Sequence, residues 1–221
     1  MGLDMYLKRA PRYKNTTSKQ INAMEAYFDW KNNEEAQKYT LKQWNGGSKK
    51  DLPSQEIQDY YKQFYTLKYY YWDDKKEYGH NYICEWVGDW RKANAIHKWF
   101  VDNVQDGEDD CGYYEVDKEQ LEDLLSICKL IKDKSKLTNG KVFCGTEYRN
   151  GKSVDLYEDA MIIENPEIAQ EYLPTQSGFF FGGTDYDEYY MEDIDKTIKI
   201  LTNVLATTDF ETQIIMYTSS W

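Results

Sequence analysis

Residues 90–104, WRKANAIHKWFVDNV, carry the strongest helical periodicity in the chain. At 100° per residue, Trp90, Ala93, Asn94, His97, Phe100, Val101 and Val104 fall in one arc. The spacing predicts a core-facing helix over 90–104. Yet His97 stands at the middle of that arc and Asn94 at its edge, and Arg91 and Lys98 flank the Asn94 side. A buried polar side chain needs a partner. In a packed core the partners would be backbone groups or tyrosine hydroxyls. Two cations, an amide and an imidazole beside Trp90 and Trp99 also suit an anionic, ring-containing ligand. This reading sets Asn94 and His97 on a partly polar crevice with Arg91 and Lys98 at its mouth.

The flanking segments fill in the class. Residues 2–9 alternate Leu3, Met5 and Leu7 with polar positions, which predicts a half-buried strand. Pro11 marks a loop. Ile21, Met24, Tyr27, Phe28 and Trp30 predict a helix from 18 to about 38, and NGGSKKDLPS (45–54) breaks it. Ile57, Tyr60, Tyr61, Phe64 and Leu67 predict a second helix over 54–70, and DDKKEYG (73–79) then turns the chain. Asp117 and Gln120 form a capping box for a helix striped by Leu121, Leu124, Leu125, Cys128 and Ile131. Asn150-Gly151 predicts a hairpin turn within 137–157. NPEIAQEYL (165–173) reads as a short helix and PTQSGFFFGG (174–183) as a buried strand. MEDIDKTIKILTNVLAT (191–207) reads as a helix on Ile194, Ile198, Leu201 and Leu205, and TQIIMYTSSW (212–221) as a closing strand. The expected class is α+β, one helix-rich domain over 1–221 with a small, mainly antiparallel sheet.

Composition bounds function. The chain has 221 residues, 39 acidic against 27 basic, and a net charge of −12. So acidic a surface is poor at neutralising a phosphate backbone, so no direct nucleic-acid partner is expected. The acid would serve solubility or fill a basic groove on a partner protein. Aromatic residues make up 16% of the chain. That load suits binding pockets and exceeds what a small core needs, which fits self-association. No apolar run approaches the length of a membrane span, and Met1-Gly2-Leu3-Asp4 opens neither a signal peptide nor, with Tyr6 following, a myristoylation signal. A cytoplasmic protein with reduced thiols and no membrane partner is expected.

Reactive motifs are sparse. Cys84, Cys111, Cys128 and Cys144 form no C-x-x-C, and only two histidines exist, so no metal is expected. Asp185, Asp187 and Glu188 lack the spacing of a calcium loop and read better as acids opening the last helix. A nucleophilic Cys111 would need His97 as its base, since His80 reads as part of a turn. Phosphate-loop, zinc-protease and serine-hydrolase signatures are absent, and no cofactor is implied. The glycines around Phe179–Phe181 allow close approach by a ligand or another chain.

MGLDMYL, WRKANAIHKWFV, CGYYEVDKEQLEDLLSICK, LPTQSGFFFGGTDYDEYY and the terminal YTSSW occur together and in this order. With these blocks the chain resembles a widespread family of small phage and prophage proteins with no settled function. The blocks cover about half the chain and leave 10–80 as a variable helical segment and 137–170 as a hairpin insertion. Asp89 departs from the pattern, in which an aromatic residue precedes the Trp. The resemblance implies an accessory protein in the host cytoplasm, acting against host defence. Its expected role is to bind a small anionic, nucleotide-derived ligand without turnover, through Trp90, Arg91, Asn94, His97, Lys98, Trp99, Phe180 and Tyr186. The alternatives are an acidic inhibitor of a host defence nuclease or nucleic-acid enzyme, and an enzyme on nucleotides or phosphoesters with His97 as acid or base.

Overall fold

A computed structural model describes residues 2–45, 49–73 and 76–221, without the side chains of 45 and 67–81. The elements run β1 (Asp4–Pro11), α1 (Ser18–Asn32), a 3-10 turn (Ala36–Lys38), α2 (Leu41–Asn45), a 3-10 turn (Lys49–Asp51), α3 (Gln55–Lys62), β2 (Thr66–Asp73), β3 (Lys76–Tyr82) and β4 (Glu85–Arg91). They continue α4 (Asn94–Val104), β5 (Tyr114–Val116), α5 (Lys118–Lys134), β6 (Leu137–Arg149), β7 (Lys152–Ile163), α6 (Glu167–Tyr172), α7 (Glu188–Thr207) and β8 (Gln213–Ser220). The class is α+β, as the sequence implies.

Four antiparallel strands in the order β4-β1-β8-β5 form the central sheet. Strand alternation gives it two unlike faces. Leu3, Met5, Leu7, Trp90, Val116, Ile215 and Tyr217 pack with Phe100, Leu121, Leu124, Ile194 and Leu201 from α4, α5 and α7. On the other face, Ala10, Ile214 and Met216 pack with Ile21, Met24 and Phe28 of α1 and with Tyr61 of α3. Each fully buried aliphatic side chain contributes about 1.5–3 kcal/mol, so the first face dominates stability. Lys8 shares the second face, where its ammonium meets Glu25 of α1 at 3.2 Å. The Asp117–Gln120 capping box opens α5, and the predicted stripe of that helix is buried. Its Cys128 thiol is pushed up to about 12 by burial, which makes it inert.

Several segments depart from the sequence reading. Trp90 and Arg91 do not begin a helix; they end β4, paired with Met5 and Asp4. Lys92, with φ +60°, turns the chain, and α4 starts only at Asn94. The periodicity ran on upstream because Trp90 faces the same core by a different geometry. The helix predicted over 54–70 stops at Lys62, and the β-favouring run Thr66–Asp73 pairs with β3. His80 lies on β3 rather than in a turn. Likewise the first helix ends at Asn32 and is followed by a separate short turn. The Phe179–Phe181 run is no strand, because Phe181 N–H bonds back to the Gly178 carbonyl and closes a turn. Phe179 is 83% exposed while Phe181 is buried. The breaks expected at 45–54 and 73–79 lie partly outside the described residues.

The β6–β7 ribbon turns at Asn150-Gly151 as predicted. It is exposed along most of its length. No helix among the described residues is long and apolar enough to cross a membrane.

Candidate functional site

The two polar residues of α4 are both held by the protein. Asn94 Nδ2 donates to the carbonyls of Phe181 at 3.3 Å and Gly183 at 2.7 Å, and its Oδ1 accepts from Gln176 N–H at 2.9 Å. It clamps the 176–183 loop onto α4, acting as a third strand would by satisfying backbone groups that have no ladder. Gly182 is required beside it. Its φ is +96°, and a Cβ there would stand 3.1 Å from the Lys92 carbonyl oxygen.

His97 is fully buried. Its Nε2 lies 3.0 Å from Asp109 Oδ2 and its Nδ1 2.7 Å from the Tyr217 hydroxyl. A carboxylate only accepts, so Nε2 carries the proton and Nδ1 accepts from Tyr217. Burial, then the nearby Asp109 charge, pushes the Tyr217 phenol well up, so it remains a donor. Trp221 Nε1–H donates to the other Asp109 oxygen at 3.0 Å. Both imidazole nitrogens are thus engaged, which leaves none to activate Cys111 or a substrate. Asp109 was missed by sequence reasoning. Its only signal was its place in the acidic DGEDDCG run.

The remaining sequence candidates scatter. Trp90 is buried, with Nε1–H donating to Thr197 at 2.9 Å. Trp99 packs edge-on against Phe100 in the core. Lys98 pairs with Asp102 at the surface, away from Asn94. Phe180, in a left-handed conformation at φ +70°, packs at a tilt against Phe179 at a solvent-facing corner. The Tyr186 hydroxyl accepts from Thr175 N–H and helps seat the same loop. Of the eight, Arg91 and Asn94 line one shared hollow.

That hollow is a cleft of about 390 Å³ between the N-termini of α4 and α7. Lys92, Gly183, Tyr189 and Asp193 also line it. Sequence reasoning missed Lys92 because the helix was started four residues early, which placed Lys92 on the wrong side. Ala93 supplies no side-chain cap to α4, and no acceptor among the described residues takes the N–H of Ala95 or Ile96. These orphan donors sit at the positive end of the helix dipole and line the cleft. Asp187, by contrast, caps α7 by accepting from Tyr190 N–H at 3.0 Å. Its role is the one the sequence suggested. Asp193 is held up at about 7, chiefly by burial, against the pull of Lys196 and with Glu192 and Asp187 adding repulsion. Asp185 is raised for the same first reason. The cleft therefore joins two cations and a helix terminus to four carboxyls, Asp185, Asp187, Glu192 and Asp193, of which Asp185 and Asp193 are shifted above the usual carboxylate range.

Among the described residues no three His, Cys, Asp or Glu side chains converge as a metal site needs. Comparison with models of known families, with characterised proteins and with solved structures finds no match.

Proposed function

We propose that the protein is a binding module for a small anionic ligand, nucleotide-derived in chemistry, held in the cleft without turnover. The observation that carries this reading is the uncapped start of α4. The N–H groups of Ala95 and Ile96 lack acceptors there among the described residues, with Arg91 and Lys92 beside them. A phosphate oxygen satisfies such donors and complements the dipole. Gly182 and Gly183 keep the opposite wall low. Turnover is disfavoured because His97 is sealed in the core and both its nitrogens are bonded. In the phage setting implied by the sequence resemblance, such a module would sequester a nucleotide-derived signal of host immunity.

The test is a thermal-shift panel of linear, cyclic and ADP-ribose-type nucleotides, followed by heat release and mass spectrometry. A raised melting temperature with intact ligand supports sequestration. Chemically altered ligand would make the protein an enzyme. No shift with any compound removes the reading.

A further inference from the structure

A second hollow lies on the α1 face of the sheet. Its volume is about 340 Å³, and it shares no lining residue with the cleft. The floor is the buried Lys8–Glu25 pair. Both Glu25 oxygens are engaged: Oε1 accepts the N–H groups of Ile83 at 3.0 Å and Cys84 at 3.1 Å, and Oε2 takes Lys8. Lys8 is not saturated. An ammonium has three hydrogens, and among the described residues Glu25 and the Tyr113 hydroxyl take two of them. Burial alone would lower the Lys8 pKa, but Glu25 and then Tyr113 outweigh it, so the group stays charged and keeps its third donor.

Rings surround this donor. The Lys8 nitrogen lies 5.1 Å from the Tyr113 ring centre, 5.7 Å from Tyr82 and 5.9 Å from Trp86. Trp86 is 39% exposed and packs at 5.0 Å against Tyr6, which also lines the hollow. An aromatic rim over one charged donor favours a planar ring laid on Trp86 with an acceptor turned toward Lys8. The charge balance excludes the other chemistries. Lys8 repels a cation, while Glu25 and the neighbouring Asp29 repel an anion. We propose that this pocket binds a neutral, planar heteroaromatic ring through a ring carbonyl that accepts from Lys8. The site is separate from the anion cleft and does not rest on it.

The probes are inosine, which carries a ring carbonyl, and purine riboside, the same ring without it. Neither has a phosphate, so the cleft does not compete. Calorimetric titration of the full chain should show inosine binding at least about tenfold tighter, the size expected for a hydrogen bond to a charged donor. Trp86→Ala, at the rim, should weaken both probes by about tenfold or more, as loss of a base-stacking ring does. Lys8→Met should erase the preference. Should Lys8→Met fail to fold, the probe ratio and Trp86→Ala still decide. Equal affinity for the two probes, no binding of inosine, or unchanged binding in Trp86→Ala would each overturn the proposal.

Discussion

Two hollows border the central sheet, the cleft at the end of β4 and the pocket on the α1 face, and they handle charge in opposite ways. In the pocket, Lys8 and Glu25 are buried together and cancel, with aromatic rings around them. In the cleft the cations stand at the mouth. Arg91 makes only a long, exposed contact with Asp4 at 3.4 Å, and Lys92 has no ion pair among the described residues. The helix terminus behind them is uncapped. A buried, neutralised pair is a structural element that can lend one spare donor. On the proposed reading, exposed cations over an uncapped helix act as an electrostatic receptor, because only Asp4 holds Arg91 and Lys92 has no ion pair among the described residues. The contrast predicts that the two sites fail separately.

Asn94→Ala should have the largest effect. It strands the Phe181 and Gly183 carbonyls and the Gln176 N–H, for a loss of about 3 kcal/mol in urea unfolding. It should also release the 176–183 wall and abolish anion binding, while inosine binding in the pocket persists at temperatures where the chain is folded. Loss of both sites together would break the contrast. Tyr217→Phe comes next. It leaves His97 Nδ1 without its donor in the core and should cost about 1–2 kcal/mol of stability with no change in either ligand.

Arg91→Ala and Lys92→Ala separate binding from folding. Each should move stability by no more than about 0.5 kcal/mol, as expected for exposed side chains. Each should weaken an anionic ligand by about tenfold, read by calorimetry, through loss of a charge-assisted hydrogen bond. The pH-dependent effect belongs to Asp193. Its carboxyl titrates near 7 when folded, against an ordinary value of 3.8. The folded state therefore holds that proton more tightly, and stability is lost as pH rises between those values. Asp193→Asn should melt above the wild type at pH 8, and the gap should shrink as pH falls toward 4. A constant gap would mean the carboxyl is not buried in solution.

Much of this architecture was legible in the residues. The alternation of Leu3, Met5 and Leu7, the Asp117–Gln120 box, the Asn150-Gly151 turn and the stripe of α7 each rest on local chemistry, and each forms as local chemistry dictates. The site was half legible. His97 and Asn94 were identifiable as polar residues needing partners, but the partners are Asp109, Tyr217 and the backbone of the 176–183 loop, all distant in sequence. Lys8 drew no notice because an alternating strand normally turns its lysine to solvent. Here α1 covers that face and brings Glu25 to it. The three phenylalanines read as a strand on hydrophobicity alone, yet a strand needs a ladder, and the run meets a single Leu3 N–H at the Phe180 carbonyl and the side-chain amide of Asn94 among the described residues.

The most direct test is calorimetric titration with a cyclic phosphodiester nucleotide, chosen because its own charge is constant between about pH 6 and pH 8. The account predicts tighter binding by the wild type at the lower pH, where Asp193 is protonated, and loss of that binding in the Arg91→Ala, Lys92→Ala double variant with the fold intact. Binding of equal strength in the wild type and the folded double variant would contradict the claim that this cleft is an anion receptor.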